Sequence, residues 1–124
     1  MTLARIDLSL PLPTSVNRTH AQRPDGHVYR SARYNAWRKA AGNEFLAIRS
    51  RLPCKALPHG WYRARIRWPA EDAADVTNRT KALLDWLVWM RITPDDRWLW
   101  AHSEGRSKAV AAGLCSVTVW SLKT

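Results

Sequence analysis

Hydrophobic and polar positions alternate cleanly at two places in this chain. Over residues 3–10, Ile6, Leu8 and Leu10 fall on one side and Arg5, Asp7 and Ser9 on the other, which predicts a strand with one buried face. It is expected to stop at Pro11-Leu12-Pro13, since proline donates nothing to a ladder. Over residues 61–69, Tyr62, Ala64, Ile66 and Trp68 oppose Arg63, Arg65 and Arg67, a second half-buried strand. Between them the period lengthens. Tyr34, Trp37, Ala41, Phe45 and Ile48 recur at spacings of three and four, which predicts a helix over 32–51, capped by Ser31 and ended by Pro53. A second helical pattern covers 78–90, with Leu83, Leu84, Leu87, Val88 and Met90 as its buried face and Thr77 or Asn78 as its cap.

The remaining stretches read as connections and short strands. Residues 11–32 form a polar, irregular run with a turn signal at Pro24-Asp25-Gly26. Thr93-Pro94-Asp95-Asp96 reads as a turn, Trp98–Ala101 as a short strand and Glu104-Gly105-Arg106 as another turn. Leu114–Leu122 is a closing strand with Cys115, Val117 and Val119 on one face. The order β-loop-α-β-α-β-β predicts an α/β (α+β) fold, one small domain over residues 1–124, in which two helices pack on a mixed sheet. A domain of this size often gains from oligomerising.

Composition adds a partner class. The net charge is +10, and residues 1–69 carry all of that excess, while residues 70–124 are balanced. A polycation of this kind suits nucleic acid. The arginine row 63, 65, 67 reads either as a solvated sheet face or as a phosphate-binding one. Some of the eight tryptophans belong to the core, and others can stack on bases. No run of 18 apolar residues exists, so no membrane span is expected, and the charged N-terminal run does not read as a signal peptide. Cys54 and Cys115 lack metal or redox spacing and read as reduced thiols, which places the chain in a cytoplasm. The spacing of His20, His27, His59 and His102 fits no zinc pattern, and no glycine-rich phosphate loop offers a small-molecule substrate site.

The acids stand apart from this basic background. Asp72 and Asp75 precede the second helix, and Asp95 and Asp96 follow it. Carboxylates without matching bases suit a hard cation such as Mg²⁺, which beside DNA can activate the scissile phosphate. Lys81, one turn into the helix, could stabilise the charge that develops there. The plainer reading makes Asp75 a helix-dipole residue, Asp95-Asp96 a turn and Lys81 a solvated helix residue.

At this point the residues resemble a family. Leu10-Pro11-Leu12-Pro13-Thr14-Ser15-Val16-Asn17-Arg18 is similar to the N-terminal L-P-x-P-x-S-x-N-R signature of the RusA Holliday-junction resolvases. The run Asp75-Val76-Thr77-Asn78-Arg79-Thr80-Lys81-Ala82-Leu83-Leu84-Asp85 resembles their D-L-D-N-x-x-K-x-x-x-D block, and Asp95-Asp96 matches their later acidic pair. The resemblance spans about residues 6–122 and implies a bacterial or phage-encoded α/β homodimer. It implies an endonuclease that resolves four-way DNA junctions in recombination and repair by paired, Mg²⁺-dependent phosphodiester hydrolysis, with Mn²⁺ as a substitute ion. Carried over by position, Asp75 and Asp96 hold the metal, with Asp95 as a further candidate, and Lys81 completes the catalytic set. Asn17, Arg18, Arg63, Arg65, Arg67, Asn78 and Arg79 are the expected DNA contacts. The sequence departs from the pattern at Thr77, where the family has its middle aspartate. Asp72 is an upstream replacement; the alternative is a weakened or inactive homologue that binds branched DNA without cutting it.

Overall fold

The computed structural model describes residues 4–13, 20–22, 28–30, 32–71 and 76–122, with the backbone alone for 20–22, 28–30 and 76–78. Four strands form one mixed sheet: β1 (Arg5–Pro11), β4 (Tyr62–Pro69), β5 (Leu99–Ser107) and β6 (Leu114–Ser121), in the order β1-β6-β4-β5. β6 pairs antiparallel with both β1 and β4, and β4 pairs parallel with β5. Two helices, α1 (Ala32–Ile48) and α2 (Val76–Trp89), complete the α+β domain. Among the described residues no helix is long and apolar enough to cross a membrane.

The alternation seen along the chain sets the layers. Ile6, Leu8 and Leu10 from β1, Ala64, Ile66 and Trp68 from β4, and Cys115, Val117 and Val119 from β6 are buried in one cluster. Tyr34, Trp37 and Phe45 of α1 join it, as do Leu83, Trp86 and Leu87 of α2, so both helices cover the same sheet face. The Trp37 indole donates to the Pro11 carbonyl at 2.9 Å and fixes α1 to the end of β1. Cys115 lies in this core, and burial pushes its thiol up to about 12; Cys54 is free as well.

Several boundaries differ from the sequence reading. The irregular run 11–32 contains a two-stranded ribbon, β2 (His20–Gln22) with β3 (Val28–Arg30). The Ser31 cap and the turn at 24–26 lie outside the described residues. The first helix ends at Ile48 and tightens into a 3-10 turn, Arg49–Arg51. Proline sits inside the ladder at Pro11, opposite Leu114, which an edge strand tolerates.

The largest changes are in the second half. α2 starts at Val76, so Thr77 and Asn78 lie within its first turn and do not cap it. Its buried face is Thr80, Ala82, Leu83, Trp86 and Leu87, whereas Leu84, Val88 and Met90 are only partly covered. The single stretch Leu99–Ser107 replaces the expected short strand and turn; Glu104-Gly105-Arg106 runs inside it, beside Ile66–Trp68 of β4. The turn signal in the sequence gives way to a ladder of eight β4–β5 pairs.

Candidate functional site

The β4-α2-β5 crossover builds the site. Parallel strands need a long connection, here α2, which lies over the sheet and returns the chain to the start of β5. At the end of α2, Arg91 adopts a left-handed φ of 60°. The Arg91 N–H donates to Val88 and the Ile92 N–H to Leu87, the paired bonds of a Schellman cap. Ile92 is thereby driven into the core at 0% exposure. The chain reverses, and a 3-10 turn, Asp96–Trp98, leads into β5.

This reversal brings the acidic pair alongside the helix. A cleft of about 360 Å³ lies between α2 and β5; its lining includes Lys81 and Asp85 from the helix, Asp96 from the 3-10 turn, and His102 and Glu104 from β5. Lys81 and Asp85, one turn apart, form an exposed ion pair at 3.7 Å. The Thr80 hydroxyl donates to the Glu104 carboxylate, which ties the helix to the strand. Of the sequence-predicted residues, Lys81 and Asp96 therefore share one wall-lined space.

Asp95 and Asp96 have different environments although they are adjacent. The Asp95 carboxylate accepts from the Arg97 N–H at 3.0 Å and caps the 3-10 turn. That bond, then one with Asp96, holds its carboxyl below the usual value. Asp96 moves the opposite way. Its hydrogen bond with Asp95 raises it most, followed by burial and the charges of Asp95 and Asp85, while Lys81 opposes the rise. The pair concentrates negative charge at the cleft, on hard oxygen donors of the type a divalent cation takes.

Asp72, Asp75, Asn17 and Arg18 lie outside the described residues, as do the side chains of Thr77 and Asn78. Val76, the residue after Asp75, is five positions before Lys81, about 7.5 Å along the helix axis. Among the described residues, no three His, Cys, Asp or Glu side chains group closely enough to hold a metal ion. Asp96 is the described member of the expected ligand set that lines the cleft.

Glu104, His102 and Thr80 were missed in the sequence. The signal was the alternation His102, Glu104, Arg106, which continues the helix-facing side of β5 past Gly105. Arg63, Arg65 and Arg67 lie on the opposite sheet face. In register across the sheet, Arg63 stands beside Trp120 and Arg5, and Arg65 beside Thr118 and Asp7. The Arg63 guanidinium is 5.6 Å from the Trp120 ring centre, and Thr118 donates to Asp7 at 2.6 Å. Asp7 is held below the usual carboxylate value, first by Arg5 and also by Thr118 and Arg65. Arg79 is half-buried on α2.

No protein-family model matches the chain. No curated protein matches it either.

Proposed function

We propose that this protein is a magnesium-dependent endonuclease of the RusA type, acting as a homodimer on branched DNA. The observation that supports it is the cleft between α2 and β5, where Lys81 and Asp96 face a common space beside Asp85 and Glu104. The donors fit the ion in type: Asp96 is a carboxylate crowded by like charge, which a divalent cation relieves. Asp96 and Asp75 would hold it, with Asp72 replacing the carboxylate that Thr77 lacks and Asp95 adjacent. Bound there, the ion supplies Lewis-acid charge at the scissile phosphate. Lys81 places a positive charge at the same cleft, where negative charge grows on the phosphate oxygens in the transition state. Asp85 holds the lysine through one helical turn. Arg63, Arg65 and Arg67 carry the DNA backbone, and a two-fold protein matches a two-fold junction.

A synthetic four-way junction incubated with Mg²⁺ or Mn²⁺ should acquire symmetric nicks. Asp96→Asn and Lys81→Met should each cut at least about 100-fold more slowly with binding retained, as for loss of one transition-state donor. Full activity in both would overturn the assignment. A second reading rests on Thr77: the same fold binds branched DNA without cutting. It predicts tight junction binding, no nicks at any divalent concentration, and cleavage gained in Thr77→Asp.

A further inference from the structure

Three tryptophans gather at one end of the sheet, outside the cleft. Trp61 precedes β4, Trp98 ends the 3-10 turn and Trp100 stands at an irregularity in β5, where Tyr62 pairs with Leu99 but Arg63 with Ala101. The bulge leaves Trp100 without a partner on β4 and turns it outward, at 64% exposure; Trp61 is 36% exposed. Their rings pack edge to face, Trp61 against Trp98 at 5.1 Å and against Trp100 at 5.3 Å, and His59 extends the row beside Trp98 at 4.8 Å. Such pairs hold the rings in fixed orientations. In an edge-to-face pair, one ring keeps both flat faces clear of its partner.

This aromatic end continues into the arginine row. By alternation, Trp61 falls on the sheet face of Arg63, Arg65 and Arg67, the face the two helices leave uncovered. Successive arginines are about 7 Å apart along β4. Arg63 is steadied by Trp120 in the neighbouring strand. A second copy of this chain is a poor occupant of this face, because a two-fold contact here would set Arg63, Arg65 and Arg67 against the same three arginines. A polyanion is favoured by charge. A fully paired duplex satisfies the arginines but keeps its bases stacked inside, out of reach of the indoles.

We propose that the open sheet face is a track for an unpaired DNA strand, with Arg63 and Arg65 on its phosphates and Trp61 and Trp100 stacked on its bases. The proposal rests on the nucleic-acid part of the function above and adds the strand type and the residues that read it. Stacking on an aromatic ring tolerates any base, so the track selects unpaired nucleotides and not a sequence.

The test uses the full chain in EDTA, so that cleavage plays no part. Binding is followed by tryptophan fluorescence and anisotropy with an oligo-dT strand, an abasic strand of equal length and a paired duplex. Wild type should bind oligo-dT more tightly than the abasic strand, with quenching. Trp100→Ala and Trp61→Ala should each lose about tenfold for oligo-dT and nothing for the abasic strand or duplex, measured at a temperature where circular dichroism shows each variant folded. Trp100→Phe should keep most of the affinity, and Arg63→Ala should weaken all three ligands. Equal wild-type affinity for oligo-dT and abasic strand overturns the proposal, whatever the variants do. So does unchanged oligo-dT binding in Trp100→Ala, or a Trp100→Ala protein that sediments as a smaller species while its dT affinity per protomer holds. Because no junction is cut, failure of the endonuclease reading leaves this result standing, and the reverse also holds.

Discussion

The Asp95–Asp96 pair shows two neighbouring carboxyls shifted in opposite directions, Asp95 downward chiefly by the Arg97 N–H and Asp96 upward chiefly by Asp95. Asp96, raised, binds its proton more tightly in the folded chain than in the unfolded one. Its contribution stabilises the fold below the unfolded value, about 3.9, and is lost as pH rises through the folded value. Asp95, lowered, contributes above the unfolded value and loses it as pH falls. The two trends oppose, so the pair is better watched by carboxyl NMR than by melting. Asp95→Asn keeps a side-chain acceptor for the Arg97 N–H but removes the neighbouring charge. The Asp96 midpoint should then fall toward the ordinary aspartate value; an unchanged midpoint would mean that burial and the Asp85 charge, and not Asp95, raise it. Adding Mg²⁺ to wild type should lower the same midpoint.

At the level of elements, the end of α2 decides where Asp96 goes. Arg91 occupies a left-handed position that glycine adopts at no steric cost and other residues adopt at about 1 kcal/mol. Arg91→Gly should raise unfolding free energy by up to about 1 kcal/mol, read by urea denaturation. A loss instead would show that the Arg91 side chain, exposed on the surface, contributes more than the backbone relief. The sequence carried the strands with one wet face and one buried face, because Ile6, Leu8 and Leu10 or Tyr62, Ala64 and Ile66 show their period directly. It did not carry β5. That edge strand has no apolar stripe; its pattern runs through His102, Glu104 and Gly105, and pairing with β4 outweighs a local turn signal. The start of α2 was misplaced for a related reason, since Thr77 and Asn78 favour caps by side chain, whereas the helix begins at Val76. For the site, Lys81 and Asp96 were legible as chemistry, but their meeting depends on the Arg91 reversal, which no periodicity announces. At Glu104 the turn signal of Glu104-Gly105-Arg106 masks the alternation that runs through His102, Glu104 and Arg106.

For the whole molecule, the division of charge is a prediction about salt. The excess of +10 lies in residues 1–69, while Asp85, Asp96 and Glu104 line a cleft built from residues 80–104. Duplex affinity should fall linearly on a log–log plot against salt, with a slope of about 0.9 per phosphate neutralised. Replacing Arg63, Arg65 and Arg67 by alanine together should reduce that slope by roughly 2–3. An unchanged slope would remove the sheet face from the DNA contacts and move them to α1 and the stretch before it.

The strand order has one further consequence, for synthesis. β6 follows every other described strand in the sequence, yet it lies between β1 and β4 and bonds to both. The Thr118–Asp7 pair joins residues 111 positions apart. On the ribosome, β1 therefore waits for the whole stretch to its partner, on the order of 5–20 s at roughly 5–20 residues per second. Until then the ladder-forming backbone groups of residues 5–11 lack the strand they pair with. Completion of the sheet is thus a late event, in which one strand inserts between two that are already made, and the nascent chain depends on whatever shields its first strand in the interval.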